Sequence, residues 1–426
     1  MEVSCVEEKR IAKNGIPVYS LTNENNHSFF ISMFLKAGCM YEREDENGIT
    51  HFLEHAAIRN VNKLMDYNLY RELDRYGMEF NATTYSEMVQ FYISGASCHF
   101  GVAAEMISRI LSPIILNRGE LEAERARIKA EIREASDKST LAFVAAEEEW
   151  QGTSLTGLIA GTLGSVSRIS LGRLESYRKR IFNKDNIFFY VTGKVDNDNL
   201  SYLTDLVGAY ELVGEEVHDN KAPVPKSFMN RQPKIRIKNA DFTKIRYSFD
   251  VDMSLVKSAE LDLLYDIVLR GYSSDFFIEL SENRGLFYDL GGALERYSNV
   301  ALFSFSYELK ESKLYDAARM TAELLRSYTE RLIDADRCMK AGYVDNAPML
   351  LDDSRELCFT YAYDNHILGL GYRGVEDRRK IYSDITPERL REVARMIFRP
   401  ENLTVTLKGN KKRIDITKLE KIIFGE

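Results

Sequence analysis

Residues 45–61 read DENGITHFLEHAAIRNV and predict a helix that carries the pattern His-x-x-Glu-His. Its three members are His51, Glu54 and His55. Residues four apart lie one turn from each other on the same helix face, so the two imidazole rings can reach one tetrahedral metal ion. Glu54 can then point to the open side of that ion and take a proton from a bound water. A lone buried histidine is more often a packing residue, but two of the chain's six histidines bracket this glutamate at metal-ligand spacing.

The ends of this helix are also indicated by the sequence. Asn47 and Gly48 interrupt the preceding segment, and Thr50 is the expected N-cap. The apolar side chains that follow predict that most of the helix is buried; they are Phe52, Leu53, Ala56, Ala57 and Ile58. The histidine pair is therefore expected on a helix that packs against the protein core.

Composition and charge limit the classes of protein to consider. The chain has 426 residues, too many for one core, and two to three domains are expected. A hydrophobic share of 45% and a charged share of 29% are ordinary for a globular protein. The net charge of −8, without a clear face rich in lysine and arginine, argues against a nucleic-acid partner.

The cysteines and the apolar runs indicate a compartment. Five cysteines, without any Cys-x-x-Cys pair, predict reduced thiols in a cytosolic protein. The N-terminal residues contain no apolar core of a secretory signal, and no run approaches the length of about 18 apolar residues that spans a membrane. We therefore expect a cytoplasmic protein without a membrane span.

Hydrophobic periodicity predicts strands and helices in turn along the chain. The runs 15–23 and 28–38 are expected to form a pair of adjacent strands before the histidine-bearing helix. Residues 78–95 are typical of two further strands, and residues 118–135 of a helix very rich in charge. Additional helices are predicted at 67–76, 102–111, 171–182 (with Ser170 as N-cap) and 259–270, and additional strands at 186–192 and 243–251.

An internal repeat relates the two halves of the chain. The segment IFNKDNIFFYVTG ends at Gly193, and the segment IFRPENLTVTLKG ends at Gly409. Each copy is the end of an arginine-rich helix, a turn and a strand, and the alignment places Asn186 opposite Asn402. A repeat of this kind indicates two related lobes rather than a solenoid.

The two lobes are separated by a segment with little periodicity. Residues 213–234 include three prolines and are typical of a linker. We therefore predict an N-terminal lobe at 1–212 and a C-terminal lobe at 235–426, each a mainly antiparallel sheet covered by helices. The predicted fold class is α+β, with two homologous αβ-roll lobes. Only the first lobe carries the His-x-x-Glu-His pattern.

A catalytic zinc ion needs three protein ligands and one open position for water. The histidines supply two ligands, so the third must come from another part of the first lobe. The helix at 118–135 offers several carboxylates, among them Glu120, Glu124, Glu131 and Glu134. Physical reasoning from the residues leaves the choice among them open.

Taken together, these segments resemble peptidase family M16, the family of insulinase, pitrilysin and mitochondrial processing peptidase. The resemblance covers nearly the whole chain and depends most on His-x-x-Glu-His together with ERARIKAEI at 124–132. It implies that Glu131 is the third ligand of one Zn²⁺ ion per chain and that Glu124 orients a ligand histidine or holds charge near the metal. It also implies zinc-dependent peptide hydrolysis, with Glu54 as the general base that passes its proton to the leaving amine.

A second stretch, FNATT at 80–84, would by itself be an ordinary strand. It resembles the Asn-Ala-x-Thr segment with which members of the family pair with substrate backbone at a sheet edge. The resemblance implies that Asn81, Ala82 and Thr83 bind a peptide substrate by strand addition, a mode with little sequence selectivity.

The second lobe departs from the family's pattern. Members of the family use an arginine and, seven residues later, a tyrosine to hold the substrate and stabilise the oxyanion. In LSENRGLFYDLGG, Tyr288 matches the catalytic tyrosine, but Ser281 stands at the position of the arginine. Arg284 is near in sequence, though one helical turn out of place. The expected assembly is a heterodimer in which a related M16 subunit supplies both groups, or a homodimer in which Arg284 or another residue substitutes.

Two other interpretations stay open. A non-catalytic scaffold subunit of the same family would share the fold, although such subunits typically carry a degraded zinc motif. A metal-binding protein of unrelated fold would use the same histidine pair without peptidase activity. The expected function is a zinc endopeptidase subunit that acts on short or unfolded peptides, and leader-peptide processing is one role found among small bacterial relatives.

Overall fold

The structure is a computed structural model that describes residues 6–135, 140–270, 272–287, 289–333 and 340–425. It divides into two units, each built from discontinuous parts of the chain. As far as these segments are described, unit 1 comprises Met1–Ser136, Gly157–Asn220 and Pro348–Val375. Unit 2 comprises Asp137–Thr156, Lys221–Ala347 and Glu376–Glu426.

Strands and helices alternate along the described chain. The strands are β1 Glu8–Ile11, β2 Pro17–Thr22, β3 Ser28–Leu35, β4 Glu79–Thr84, β5 Val89–Ala96, β6 Ile187–Gly193, β7 Ile235–Asn239, β8 Thr243–Asp252, β9 Asp289–Arg296, β10 Val300–Leu309 and β11 Leu403–Gly409. The helices are α1 Ile49–Leu64, α2 Leu69–Tyr76, α3 Phe100–Ser108, α4 Arg118–Ala135, α5 Leu141–Glu149, α6 Leu163–Arg168, α7 Leu171–Ile181, α8 Asn197–Gly208, α9 Ser258–Leu269, α10 Leu314–Glu330, α11 Lys340–Val344, α12 Ser354–Ala362, α13 Val375–Ser383, α14 Pro387–Ile397 and α15 Ile416–Phe424. Single π-helical segments lie at Phe277–Glu282 and Tyr363–Ile367.

The sheet of unit 1 has the strand order β1-β2-β6-β3-β5-β4. Strand β6 runs parallel to β2 and antiparallel to β3, and the other neighbouring strands are antiparallel. The prediction that 15–23 and 28–38 form adjacent strands is therefore wrong, because β6 lies between β2 and β3. Every residue of β6 is buried, and a strand without a solvent-exposed face belongs in the middle of a sheet.

The sheet of unit 2 repeats this arrangement in the order β7-β11-β8-β10-β9. Strand β11 runs parallel to β7 and antiparallel to β8, as β6 does between its own neighbours. The repeated asparagines make equivalent contacts, since the buried amide of Asn186 donates to Ile181 O at 2.9 Å and that of Asn402 donates to Ile397 O at 3.0 Å. The predicted α+β class with two related, mainly antiparallel sheets is confirmed.

Each of two helices packs against the sheet formed by the other half of the chain. Helix α5 packs on β11 and β8 in unit 2, and α12 packs on β6 and β3 in unit 1. The units therefore differ from the continuous lobes 1–212 and 235–426 that the sequence predicts. The sequence of a short helix such as α5 or α12 does not indicate which of the two sheets the helix covers. One of the places where the chain passes from one unit to the other, between Asn220 and Lys221, falls within residues 213–234.

Helix α1 lies in the core of unit 1, and its start differs from the prediction. Gly48 adopts a left-handed conformation with φ 88°, and the helix begins at the next residue. Thr50 is therefore inside the first turn rather than at the N-cap, and its hydroxyl lies 2.7 Å from Tyr177 Oη. The predicted cap of α7 is confirmed, since Ser170 Oγ accepts a hydrogen bond from the amide of Arg173.

Within the described ranges, we find no helix that is long and apolar enough to cross a membrane.

Candidate metal centre

Helices α1 and α4 face each other along two rows of charged or titratable side chains in unit 1. The residues of α1 are spaced four apart, and each approaches at least one carboxylate of α4. The row on α1 consists of His51, His55, Arg59 and Lys63, and the row on α4 consists of Glu131, Glu124 and Glu120.

The end of this interface remote from the histidines is formed by ordinary ion pairs. Lys63 Nζ lies 2.7 Å from Glu120 Oε2, and Arg59 Nη1 lies 2.6 Å from Glu124 Oε1. Both carboxylates are buried, so the cationic partners compensate much of the cost of removing them from water. These pairs fix how α4 lies along α1.

At the other end, three potential metal ligands converge. One nitrogen from each of His51 and His55 and one carboxylate oxygen of Glu131 all lie within 4.8 Å of one another. Glu131 Oε2 is 3.4 Å from His55 Nε2 and 3.8 Å from His51 Nε2. Ligands at zinc-bond lengths around a tetrahedral ion are about 3.3 Å apart, so this donor set fits a zinc ion with little adjustment.

The two imidazoles differ in what surrounds them. Burial, together with the neighbouring His55 ring, lowers the pKa of His51 to about 4, so this ring is neutral at neutral pH. A neutral imidazole is the form that binds a metal. His51 Nδ1 is buried and has no hydrogen-bond partner among the described residues, and the ring lies edge-to-face against that of His55, with their centroids 4.7 Å apart.

His55 is held by a carboxylate behind it. Its Nδ1 lies 3.3 Å from Glu124 Oε2, an arrangement that leaves Nε2 turned toward Glu131. Burial favours the neutral His55 ring, but the carboxylates around it outweigh burial and raise its pKa. Burial would likewise raise the pKa of Glu124, but hydrogen bonds with His55 and Arg59 and the charge of Arg127 lower it. Glu124 therefore stays ionised and keeps the ring in place.

Glu54 lies beside the ligands but is held by a residue that the sequence did not single out. Thr84 Oγ1 donates a 2.5 Å hydrogen bond to Glu54 Oε2. Burial raises the pKa of Glu54 in spite of this bond, and the charge of Glu131 acts in the same direction. The sequence did hold a signal for Thr84. In a strand, residues two apart lie on the same face, so Thr84 shares a face with Ala82, which packs against the core below α1.

Strand β4 forms the edge of its sheet, as far as the sheet is described. The side chains of Asn81 and Thr83 are exposed, whereas Ala82 is half-buried on the opposite face. The amide of Ala82 donates to Asn81 Oδ1 at 2.8 Å, which indicates that this N–H points away from the neighbouring strand β5. The three residues predicted to bind substrate thus lie on an open strand edge near Glu54.

The residues predicted in the second lobe are only partly described. Tyr288 lies outside the described residues. Ser281 is part of a π-helical segment, and Arg284 donates to the side chain of Glu279 at 2.7 Å and to its carbonyl oxygen at 3.0 Å. The role of Tyr288, like the substitution of Arg284 for the missing arginine, stays a prediction.

Two family models match consecutive parts of the chain. The model described as Insulinase (Peptidase family M16) matches residues 18–162, which include the candidate metal centre. The model described as Peptidase M16 inactive domain matches residues 168–341. The second description agrees with the absence of His-x-x-Glu-His from that part of the sequence.

Known proteins are similar to the chain over about half of its length or more. An uncharacterized zinc protease of Rickettsia felis is 25% identical over 310 residues, which are 71% of this chain and 73% of that protein. Mitochondrial-processing peptidase subunit beta of Bos taurus is 27% identical over 227 residues, which are 52% of this chain and 44% of that protein.

Solved structures share the fold at lower identity. A protease from Helicobacter pylori superposes with a TM-score of 0.83 at 18% identity, covering 95% of this chain and 99% of that one. A chain of Complex III2 from Candida albicans superposes with a TM-score of 0.79 at 15% identity, covering 98% of this chain and 99% of that one. At such identities the likeness shows the fold and no more.

Replacing Glu124 tests the support of His55. The Glu124→Gln variant keeps the shape of the side chain but loses the charge that orients the ring, so we expect its zinc dissociation constant to rise about 10- to 100-fold. Competition with a chromophoric chelator measures this constant. Glu122→Gln is the matched control, because Glu122 is on the same helix, is more than half exposed and pairs with Arg125. Equal zinc affinity of the two variants would contradict the assigned role.

Proposed function

The chain belongs to peptidase family M16, and from this membership we propose that it is the catalytic subunit of a zinc-dependent endopeptidase. The observation that carries the proposal is the convergence of His51, His55 and Glu131 beside the buried carboxylate of Glu54. A non-catalytic scaffold would have no need of this donor set, since its role depends on the fold alone.

His51, His55 and Glu131 would hold the ion, and zinc bound there would polarise a peptide carbonyl and lower the pKa of a water molecule. Glu54 Oε2 is occupied by the Thr84 hydroxyl, so Oε1 is the atom left to receive a proton from the attacking water. Glu54 then delivers the proton to the leaving amine.

The substrate is a peptide that adds to the open edge of β4. The outward amide of Ala82, which Asn81 Oδ1 covers, would bond to the main chain of the peptide once Asn81 turns away. Main-chain pairing places few demands on side chains but requires an extended segment without other strand partners. Short or unfolded peptides meet this requirement, and folded proteins do not.

The second half of the chain supports the proposal of a partner subunit. It matches the model called inactive domain, and its sequence has Ser281 where an arginine is expected. Arg284 is engaged by Glu279. We therefore favour a heterodimer in which a related M16 subunit supplies the arginine and tyrosine, with leader-peptide processing as a candidate pathway. A homodimer is the second candidate assembly.

A reducing compartment agrees with the cysteines of the described chain. Cys39, Cys98 and Cys358 are free thiols, and two of them are buried. Free buried thiols are typical of proteins from a reducing compartment. We therefore propose a cytoplasmic location.

Replacing Glu54 separates metal binding from chemistry. Glu54→Gln keeps the three ligands, so we expect zinc to bind as in the wild type while peptide turnover falls at least about a hundredfold for want of a base. Glu131→Gln is the matched variant and is expected to lose zinc and turnover together. Metal analysis and cleavage of a fluorogenic unstructured peptide measure both. A Glu54→Gln variant that cleaves at near the wild-type rate would sink the assignment of the base.

The need for a partner is tested by comparing the chain alone with the chain joined to the M16 subunit that co-purifies with it. Because a missing oxyanion donor typically costs 10²–10³ in rate, we expect the chain alone to cleave an unstructured peptide about a hundredfold more slowly. Full activity of the isolated chain would contradict the heterodimer. In that case the Arg284→Ala variant shows whether Arg284 serves in a homodimer.

A further inference from the structure

The first turn of α1 is capped by a carboxylate from outside the helix. Glu42 Oε2 accepts a hydrogen bond from the amide of Gly48, and its Oε1 accepts one from the amide of Thr50, each at 2.9 Å. The side-chain amide of Asn47 also donates to Oε2 at 3.3 Å. Glu42 is only 8% exposed, so these donors satisfy the oxygens of a buried carboxyl group. One side chain thus spans the N-cap residue and the second residue of the helix.

Helix α1 has no cap of its own. Gly48 at the N-cap has no side chain, and the Thr50 hydroxyl bonds to Tyr177 instead of to the helix. The first amides of a helix have no partner within it, so an uncapped first turn frays. A carboxylate at this end also interacts favourably with the helix dipole. Glu42 therefore supplies what the helix sequence lacks.

The turn that Glu42 caps is the one that carries a metal ligand. His51 immediately follows Thr50, whereas His55 lies one turn further along the helix and is held by Glu124. His51 Nδ1 has no hydrogen-bond partner among the described residues, so no group holds His51 in the way that Glu124 holds His55, and the backbone of the first turn contributes more to its position. A frayed first turn would displace His51 and leave His55 in place.

The loop that presents Glu42 is itself fixed to the turn between β4 and β5. Met40 N donates to Ser86 O at 2.9 Å, and Gly38 lies so close that a Cβ there would be 2.2 Å from the same oxygen. The ring of Tyr41 stacks on His218 with their centroids 4.2 Å apart, and its hydroxyl donates to Asp219 O. Ser86 follows β4 by two residues, so the loop sets the start of α1 relative to the strand that bears Thr84.

We propose that Glu42 is a positioning residue for the metal centre, which acts by holding the first turn of α1 and with it His51. The inference rests on the proposed function, since it assumes that His51 binds zinc. The hydrogen bonds that Glu42 accepts come from Asn47, Gly48 and Thr50, and these contacts transmit its effect to the first turn of α1.

The test measures the zinc dissociation constant by competition with a chromophoric chelator. We expect Glu42→Ala to raise this constant about tenfold or more, as removal of supporting groups typically does. Glu42→Gln should raise the constant less. Its side-chain oxygen can still accept a hydrogen bond from the amide of Gly48 or Thr50, whereas its NH₂ group faces the other amide, donor to donor. If the alanine variant does not fold, the glutamine variant still decides the question.

Glu46→Gln is the matched control. Glu46 is equally buried in the same loop, but its carboxylate binds Arg180 at 2.7 and 2.8 Å and the amide of Arg43 at 3.2 Å rather than the amides of α1. We expect this variant to lower the thermal midpoint of the metal-free chain while its zinc dissociation constant stays within about twofold of the wild type. Zinc binding by both Glu42 variants as tight as that of Glu46→Gln would overturn the inference. Failure of the wild type to bind zinc would instead overturn the proposed function.

Discussion

The antiparallel contact between α1 and α4 is the constraint on which the site depends. Two buried glutamates of α4 require cationic partners, and Arg59 and Lys63 of α1 supply them at 2.6 and 2.7 Å. Because the charged residues of α1 repeat every four positions, the same face presents His55 and His51 one and two turns before Arg59. Once the ion pairs fix the helices, both histidines lie close to Glu131. The candidate metal centre is thus the continuation of a structural interface.

The sequence was most informative where a pattern is local. The bounds of α4 agree with the predicted 118–135, and the buried character of α1 follows from its apolar residues. The repeat predicted that Asn186 and Asn402 would occupy equivalent positions, and both amides bond to the end of the preceding helix. By contrast, spacing alone left several carboxylates of α4 open, and the choice of Glu131 came from family resemblance.

The features that sequence reasoning missed are long-range. No periodicity links the runs 15–23 and 28–38 to the distant strand β6, yet β6 separates them because it is buried on both faces. Nothing in the loop before α1 marks Glu42 as the cap of that helix, since a cap is normally sought within or beside the helix. The sequence signal for Thr84 is weak, because it is only the alternation of inward and outward residues along β4. That alternation indicates a role for Thr84 only once Glu54 is known to lie opposite it.

The central claim is that one zinc ion binds to this end of the α1–α4 interface. The most direct measurement is an anomalous difference map at the zinc edge from crystals of the zinc-loaded chain. We predict one strong peak at about 2.0–2.2 Å from an imidazole nitrogen of His51, an imidazole nitrogen of His55 and a carboxylate oxygen of Glu131. A map with zinc bound elsewhere, or with these three side chains free of metal at saturating zinc, would contradict this claim.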